Sequence, residues 1–300
     1  MTLPPTTDLP SISIVIPCYN AREHLEVCLT SALCQRTKYA FEVVLVDSSE
    51  EDVTPFVRQR FPQVRTLHLP QRAFPGIARN AGIHQAAGRI ICFTDTDCLI
   101  DDKWVQTIGD AICSGKPVLT GAVHNGTPDS YIGTADYLIE MTEFHPSRRS
   151  GPIEHLITAN VAFEKKVVEQ IGLLDDTIKG SDRLYAYRMV QHGIPIWFER
   201  NMIVTHKNRT QLQKIFRNQY DCGFGAANVR RMARVSGSLL ARYPLLAVGI
   251  PFARTFFIAR RLIRGHIKYF FQFLGHYPVI LLGLLAYTRG YLANAFIKKP

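Results

Sequence analysis

The chain has 300 residues, and its composition of 47% hydrophobic and 20% charged residues excludes an intrinsically disordered protein. The net charge of +10 is unevenly distributed, because residues 200–300 hold 17 lysines and arginines and a single acidic residue, Asp221. Seven cysteines without a C-x-x-C pair argue against a disulfide framework and for reduced thiols in the cytosol. The first ten residues have no basic residue and no apolar run, so we expect no secretory signal.

The first half of the chain alternates short apolar runs with helical segments. We predict strands at 11–16, 41–46, 64–69 and 89–93, and helices at 21–33, 52–61, 75–87 and 102–113. This alternation predicts a mostly parallel sheet with right-handed crossovers and flanking helices, which is an α/β fold.

The pattern is looser after a further strand predicted at 118–124. Helices are predicted at 131–144, 164–171 and 181–192, strands at 194–198 and 202–205, and a basic helix at 210–234. No internal repeat is visible.

The last sixty residues combine apolar and basic segments. Residues 239–259 and 277–287 are apolar, and between them lie Arg260, Arg261, Arg264 and Lys268. A helix over 277–287 rises only about 16 Å against a hydrocarbon core near 30 Å. We therefore expect helices that lie in or dip into an anionic cytoplasmic leaflet, rather than spanning helices. The alternative is a set of core helices in a larger soluble domain.

The stretch Phe93-Thr94-Asp95-Thr96-Asp97 places two carboxylates at the end of an apolar strand. In open α/β sheets, ligands bind beyond the carboxyl ends of the strands. Asp95 and Asp97 can there hold a divalent cation against a phosphate, because Mg²⁺ sites use one or two carboxylates plus phosphate oxygens. The alternative is a helix cap.

Two further strand ends carry candidate donor-binding residues. Pro17, Tyr19 and Asn20 follow the first strand, where exposed backbone groups can meet a nucleobase; the alternative is a turn that ends the strand. Asp47 ends the second strand and can accept a base N–H or a ribose hydroxyl. The alternative for Asp47 is an N-cap of the next helix.

A helix opens with Gly76-x-Ala78-Arg79-Asn80-x-Gly82. Small residues allow close approach, so Arg79, with Asn80 beside it, is a candidate to contact a diphosphate. The alternative is that Arg79 forms a surface salt bridge.

Asp182 and His206 are candidates in the second half of the chain. Asp182 opens a predicted helix and can accept a proton from a hydroxyl group, or it can simply complement the helix dipole. His206 ends a predicted strand and can be a metal ligand or a diphosphate donor, although a lone histidine is more often structural.

Together these segments resemble the family 2 inverting glycosyltransferases of GT-A fold. The resemblance runs from Ser11 to about His206. It rests on residues 14–20 (IVIPCYN), 44–49 (VLVDSS), 78–82 (ARNAG), 93–97 (FTDTD), 158–160 (TAN), 171–175 (IGLLD) and 180–182 (GSD). The resemblance implies that Asp47 holds the nucleobase, Asp95 contacts the ribose, Asp97 binds the metal, Asp182 is the catalytic base, and His206 lies near the metal.

Two departures from the family pattern are visible. Ser48 stands where many members have a second acidic residue, and Ser181 stands where many have a glutamate before the base. The absence of a Q-x-x-R-W-type motif after His206 argues against a processive polysaccharide synthase.

The resemblance implies a GT-A domain at 1–208, with a donor half at about 11–124 and an acceptor half at about 125–208, followed by a tail at 209–300. The expected reaction is transfer of a sugar from a nucleoside diphosphate sugar to a glycan or lipid-linked hydroxyl acceptor, with Mg²⁺ or Mn²⁺. We expect it at the cytoplasmic face of the membrane, without a nucleic-acid partner. A nucleotidyltransferase of related fold and a non-catalytic membrane-bound scaffold are the alternatives.

Overall fold

A computed structural model describes residues 12–175, 179–233, 235, 237–265 and 267–296. The predicted strand start at Ser11, the predicted helix end at Arg234 and the first ten residues lie outside these ranges. The described chain folds into two compact units. The first unit comprises residues 12–122, 150–175 and 188–205, and the second comprises 123–149, 179–187 and the described residues from 206 onward.

The strands form one mixed sheet. In chain order they are β1 (Ile12–Cys18), β2 (Phe41–Asp47), β3 (Arg65–His68), β4 (Ile90–Thr94), β5 (Cys98–Ile100), β6 (Val118–Asn125), β7 (Gly151–Ile153), β8 (Asn160–Glu164) and β9 (Ile196–His206). Their spatial order is β3-β2-β1-β4-β8-β6-β9-β5, and β7 pairs with β9.

The helices flank this sheet or build the second unit. They are α1 (Arg22–Leu33), α2 (Thr54–Arg60), α3 (Pro75–Gln85), α4 (Trp104–Cys113), α5 (Tyr131–Glu140), α6 (Lys165–Ile171), α7 (Ser181–Gln191), α8 (Leu212–Met232), α9 (Leu239–Arg242), α10 (Ile250–Gly265) and α11 (Ile267–Ala295). Short 3-10 turns cover Thr142–Phe144 and Pro244–Gly249.

The parallel part of the sheet is the part that the sequence predicted. Strands β3, β2, β1 and β4 are parallel neighbours, with Ile12 opposite both Phe41 and Ile90. Their carboxyl ends therefore lie along one edge. Strand β8 runs against its neighbours, because it pairs in reverse with both β4 and β6.

Close packing holds α3 against β1. Gly82 leaves no room for a side chain, because a Cβ there would lie 2.2 Å from Cγ1 of Val15. Pro75 is the first residue of α3, a position where its fixed φ favours the helix and its missing N–H costs nothing. This packing sets the start of α3, and with it Arg79, at the carboxyl edge of the sheet.

A buried amide joins three strands in the core of the first unit. The Asn160 amide nitrogen donates to the carbonyl oxygens of Ala122 and Met202, both at 2.9 Å. The Asn160 amide oxygen accepts from Nε1 of the fully buried Trp104 at 2.8 Å. These bonds give the TAN segment a structural role, because buried polar groups are costly unless they are paired.

Several element predictions were wrong in detail. Strands β5 and β7 were not predicted, and the two strands expected at 194–198 and 202–205 are one strand, β9. The helix expected to reach residue 144 ends at Glu140 and continues as a 3-10 turn.

The C-terminal helix is longer than the apolar run suggested. Helix α11 contains Pro278 and, among the described residues, is the one helix long and apolar enough to cross a membrane.

In the second unit, α8 and α11 pack backbone against backbone. A Cβ on Gly223 would lie 1.9 Å from the Tyr287 carbonyl oxygen, and one on Gly290 would lie 1.9 Å from that of Tyr220. The Asn294 side chain donates to the carbonyl of Phe224 at 2.8 Å. One face of α11 is therefore fixed within the protein.

Candidate active site

The loops that follow β1 and β2 are bonded into one surface at the carboxyl edge. The backbone N–H of Ser48 donates to the Cys18 carbonyl at 2.9 Å, and that of Asn20 donates to the Ser49 hydroxyl at 2.8 Å. The Asn20 side chain in turn accepts from the backbone N–H of Glu50 at 3.2 Å. Asn20 has a φ of 48°, a left-handed conformation that asparagine adopts more readily than most residues. These bonds place Tyr19 at the turn between the two loops.

Tyr19 is half-buried and has contacts both at its hydroxyl group and at its ring. Its hydroxyl donates to the Glu50 carboxylate at 3.2 Å, and the Arg72 guanidinium lies 4.6 Å from its ring centroid. Pro17 lies within β1, opposite Val46, and is also half-buried. Arg72 was not predicted, although its place just after β3 is a signal that could have indicated it. An aromatic ring beneath a cation offers a flat surface on which a base can stack.

Asp47 is completely buried, and both of its carboxylate oxygens accept two hydrogen bonds. Oδ1 accepts from the Ser49 backbone N–H at 3.1 Å and from the Ser49 hydroxyl at 2.6 Å. Oδ2 accepts from the Val53 backbone N–H at 3.2 Å and pairs with Nδ1 of His68 at 2.9 Å. The lone-pair sites of Asp47 are thus filled within the chain, so the residue braces the loop after β2.

Arg79 and Asp95 form a pair at the end of β4. A guanidinium nitrogen of Arg79 lies 2.5 Å from Oδ1 of Asp95, and its Nε has no hydrogen-bond partner among the residues that the structure describes. The Arg79 side chain is only 6% exposed, whereas that of Asp95 is 31% exposed. The arginine therefore fixes the orientation of Asp95 and leaves part of that carboxylate facing outward.

Asp97 lies two residues further and is half-buried. Two buried thiols lie behind this segment, with Cys28 donating to the Asp95 carbonyl at 3.6 Å and Cys98 lying 3.8 Å from Oδ1 of Asp97. Burial, followed by the charges of Asp97 and Asp95, raises the pKa of both thiols well above its usual range. The carboxylates of Asp95 and Asp97 offer oxygen ligands beside these thiols, and oxygen ligands suit Mg²⁺ or Mn²⁺.

Asn80 uses its side chain elsewhere in the first unit. Its amide nitrogen donates to the carbonyl of Leu174 at 3.0 Å, and its amide oxygen accepts from the backbone N–H of Leu174 at 3.1 Å. This two-bond clamp fastens the IGLLD segment to α3.

Asp182 and His206 belong to the second unit. Asp182 lies in the first turn of α7, is half-buried, and accepts from the backbone N–H of Arg183 at 2.8 Å. His206 is the last residue of β9 and is 6% exposed. Its Nδ1 lies 3.0 Å from the amide oxygen of Asn208. When Nδ1 carries the proton, Nε2 keeps the lone pair that a metal ligand needs.

Further side chains of the second unit hold Asn208. Its amide nitrogen donates to the side-chain oxygens of Asn125 at 2.8 Å and Thr127 at 3.0 Å. Asn208 is therefore held in place and in turn orients the His206 ring, as hydrogen-bond partners orient metal-ligating histidines.

An acidic pair, with Asp136 buried and Glu140 half-buried, anchors the segment that follows His206. Asp136 and Glu140 lie one turn apart on α5, and the Arg209 guanidinium contacts both, at 3.1 and 3.3 Å. Burial and the neighbouring charge of Glu140 raise the pKa of Asp136 to about 6, although Arg209 opposes this. For Glu140 burial also raises the pKa, but Arg209 and Lys179 outweigh it and lower the value. This pair was not predicted, and its signal was two acidic residues four apart on an otherwise apolar helix.

The edge of the first unit thus collects most of the predicted donor residues. Pro17, Tyr19 and Asn20 lie at the end of β1, and Asp47 supports the loop after β2. Arg79 lies in α3, and Asp95 and Asp97 follow β4. Asn80 is bonded to Leu174, and its contact with the donor stays a prediction. In addition, the structure identifies Ser49, Glu50, His68 and Arg72 as residues that hold this edge in place.

Comparison with known proteins finds relatives that include a named glycosyltransferase and a polysaccharide biosynthesis protein. Glycosyltransferase AglE of Haloferax volcanii is 27% identical over 239 residues, which cover 77% of this chain and 78% of that protein. The succinoglycan biosynthesis protein ExoO of Rhizobium meliloti is 38% identical over 119 residues, 38% of this chain and 34% of that protein.

Solved structures share the fold at low sequence identity. The mannosyltransferase PcManGT of Pyrobaculum calidifontis, in complex with GDP-Man and Mn²⁺, has a TM-score of 0.64 at 16% identity and covers 98% of this chain and 89% of its own. GalNAc-T7 with UDP, GalNAc and Mn²⁺ has a TM-score of 0.55 at 17% identity, with coverage of 68% and 45%. The fold is therefore the GT-A fold. The family model described as glycosyl transferase family 2 matches residues 13–172. Because this match covers more than half of the chain, the protein belongs to glycosyl transferase family 2.

Proposed function

We propose that this glycosyltransferase moves a sugar from a nucleoside diphosphate sugar to a hydroxyl acceptor by a metal-dependent, inverting displacement. The observation that carries the proposal is the pair of partly exposed carboxylates, Asp95 and Asp97, directly after β4. Asp95 is fixed by a buried arginine, and both lie at the sheet edge where ligands of open α/β sheets bind. Their carboxylate oxygens are the ligand type that Mg²⁺ and Mn²⁺ prefer.

The base of the donor nucleotide is proposed to lie against the surface formed by the loops after β1 and β2. Tyr19 supplies an aromatic face and Asn20 joins the two loops. Asp47 stabilises the loop after β2 from inside the protein, because its four acceptor sites are already used by donors within the chain. Direct contact between Asp47 and the base stays a prediction, since a base N–H would have to displace one of these donors.

Asp97 and His206 are the residues proposed to hold Mg²⁺ or Mn²⁺. A carboxylate and a neutral imidazole are both accepted ligands of such ions, and Asn208 orients the His206 ring. When bound, the ion offsets the charge that develops on the leaving diphosphate. Arg79 holds Asp95 in position for the ribose.

Asp182 is proposed to act as the general base. Its carboxylate takes the proton of the acceptor hydroxyl as that oxygen bonds to the anomeric carbon and the bond to the diphosphate breaks. The transition state is oxocarbenium-like, so the carboxylates near the sugar also stabilise its positive charge. A single displacement of this kind inverts the anomeric centre.

The acceptor is proposed to be a lipid-linked or cell-surface glycan, and the site of action the cytoplasmic face of the membrane. Two features support this: the basic, apolar C-terminal region and the similarity to ExoO, which is named for succinoglycan biosynthesis.

The test is a transfer assay in two steps. UDP-, GDP- and dTDP-sugars are first screened for Mn²⁺-dependent hydrolysis, and the active donor is then used with Asp182→Asn. We expect turnover to fall by about 10² to 10⁴, the usual contribution of a general base, while donor affinity is kept. The matched control is Asp129→Asn, which removes an exposed acid in the same unit. Near-full turnover of Asp182→Asn would remove Asp182 from the mechanism.

A further inference from the structure

The C-terminal helices expose an apolar face. On α11, the exposed apolar residues are spaced by four, three, eight and three positions: Ile267, Phe271, Leu274, Leu282 and Leu285. On α10 and the 3-10 turn before it, the exposed residues are Leu245, Leu246, Val248, Phe252, Phe256, Phe257 and Ile263. Phe252 is 77% exposed and Phe256 is 59% exposed. A concentration of exposed large apolar side chains such as this marks an interaction site rather than ordinary protein surface.

The other face of α11 is not available to lipid. Gly223 and Gly290 bring the backbones of α8 and α11 into contact, and Asn294 bonds to α8. Helix α8 carries five charged side chains: Lys214, Arg217, Asp221, Arg230 and Arg231. If α11 crossed a bilayer it would draw these charges toward the hydrocarbon, which is costly. If α11 lies in the plane of the membrane surface, its exposed apolar side chains can contact lipid while its opposite face stays packed against α8.

Basic residues accompany the apolar face. Exposed Arg260, Arg261 and Arg264 end α10, and exposed Lys268 begins α11. The Glu143 carboxylate pairs with Arg261 at 3.3 Å. Burial is the main reason that the pKa of Arg148 is lowered; the charge of Glu143 opposes this, and the positive charge of Arg261 lowers the pKa further. Cations are therefore crowded at this end of the helices, where an anion would relieve their repulsion.

We propose that this face, made of the 3-10 turn Pro244–Gly249, α10 and the exposed stripe of α11, docks in the plane of an anionic lipid bilayer. The phenylalanine rings enter the headgroup–acyl boundary, and the arginines and Lys268 bind lipid phosphates. A bilayer fits better than a second protein chain because the basic cluster of Arg260, Arg264 and Lys268 beside the apolar side chains matches lipid phosphates. The inference specifies the membrane part of the proposed function and does not depend on the transfer reaction.

The test is sedimentation of the full-length protein with preformed vesicles. Vesicles of phosphatidylcholine alone are compared with vesicles containing a quarter phosphatidylglycerol, each at low and high salt. We expect reversible binding with a strong preference for the anionic vesicles at low salt. The apolar contribution to binding should persist at high salt, because screening acts on the charges only.

Two double variants separate the contributions. Phe252→Ser with Phe256→Ser should weaken binding about tenfold per ring at both salt concentrations. Its matched control is Phe74→Ser, because Phe74 is 57% exposed in the first unit. Arg260→Gln with Arg264→Gln should weaken binding to anionic vesicles by about 30-fold at low salt and little at high salt. Its control is the exposed Lys103→Gln.

Wild-type protein that ignores vesicles, or phenylalanine variants that bind as the wild type does, would overturn the proposal. A dimer in buffer that the phenylalanine substitutions dissociate, without vesicle binding, would assign the face to a second copy of the chain. Donor-dependent Mn²⁺ binding is measured on the same samples. If it is retained while vesicle binding is absent, only the docking proposal fails.

Discussion

Asp47 and the Asp95–Asp97 segment differ sharply although they lie at the same edge of one sheet. Asp47 ends β2, is fully buried and accepts four hydrogen bonds, whereas Asp95 follows β4, keeps a 31% exposed side chain and is held by one arginine. Asp97 is half-buried beside protonated thiols. The comparison teaches that an aspartate at a strand end can brace a loop or face a ligand, and that its hydrogen-bond partners decide which.

The largest expected effect is that of Asp97→Asn. Without this carboxylate the metal ion is bound weakly, and the charge on the leaving diphosphate is then not compensated. We therefore expect turnover to fall by about 10² to 10³, the scale of a lost electrostatic contact in a transition state. The melting temperature should stay close to the wild-type value. The control is Asp102→Asn, which removes an equal charge from an exposed pair with Arg36. If both variants lose activity equally, the effect is one of net charge and the contrast with Asp47 fails.

A smaller effect is expected from Arg79→Met, which removes the partner of Asp95 while filling the buried space. We expect the KM for donor to rise by about 10- to 100-fold, because a charge-assisted hydrogen bond contributes about 1.5–3 kcal/mol. The value of kcat should change less. Arg79→Lys should restore part of the affinity, because lysine restores the positive charge but lacks the two parallel N–H donors of the guanidinium group. An unchanged donor KM in Arg79→Met would show that Asp95 needs no orienting partner.

The smallest effect on turnover is expected from Asp47→Ala, which should act on stability. The backbone N–H groups of Ser49 and Val53 lose their acceptor, so we expect a loss of about 3 kcal/mol. This corresponds to a fall in melting temperature of roughly 6–12 °C, measured by calorimetry. Glu51→Ala, which is highly exposed, should change it little. An Asp47→Ala variant that keeps its stability but loses donor affinity would make Asp47 a direct contact.

The sequence predicted the parallel half of the fold well. Strands β1 to β4 are apolar runs that end at Cys18, Asp47, His68 and Thr94, and polar residues at the ends of β1, β2 and β4 were predicted as candidate ligands. The antiparallel course of β8 was not predictable, because an apolar run does not reveal its direction.

Other features depended on contacts that no local pattern reveals. The two strands predicted at 194–198 and 202–205 are one strand, because β9 continues through the polar residues Glu199, Arg200 and Asn201. Helix α11 extends well beyond the apolar run at 277–287 and contains Pro278. The saturation of Asp47 needs Val53 from the next loop and His68 from β3. Asn80 was assigned to the donor by its place beside Arg79, and its bonds to Leu174 come from a segment 94 residues away.

Mn²⁺ binding in the presence of nucleoside diphosphate tests the central claim most directly. Free Mn²⁺ is followed by electron paramagnetic resonance as UDP or GDP is added to wild-type, Asp97→Asn and Asp47→Ala protein. The account predicts a nucleotide-dependent loss of the free Mn²⁺ signal, beyond the loss seen with nucleotide alone, in the wild type. The loss should be retained in folded Asp47→Ala and absent in Asp97→Asn. Protein-dependent binding that is equal in wild-type and Asp97→Asn protein, or that is absent from the wild type with both nucleotides, would contradict it.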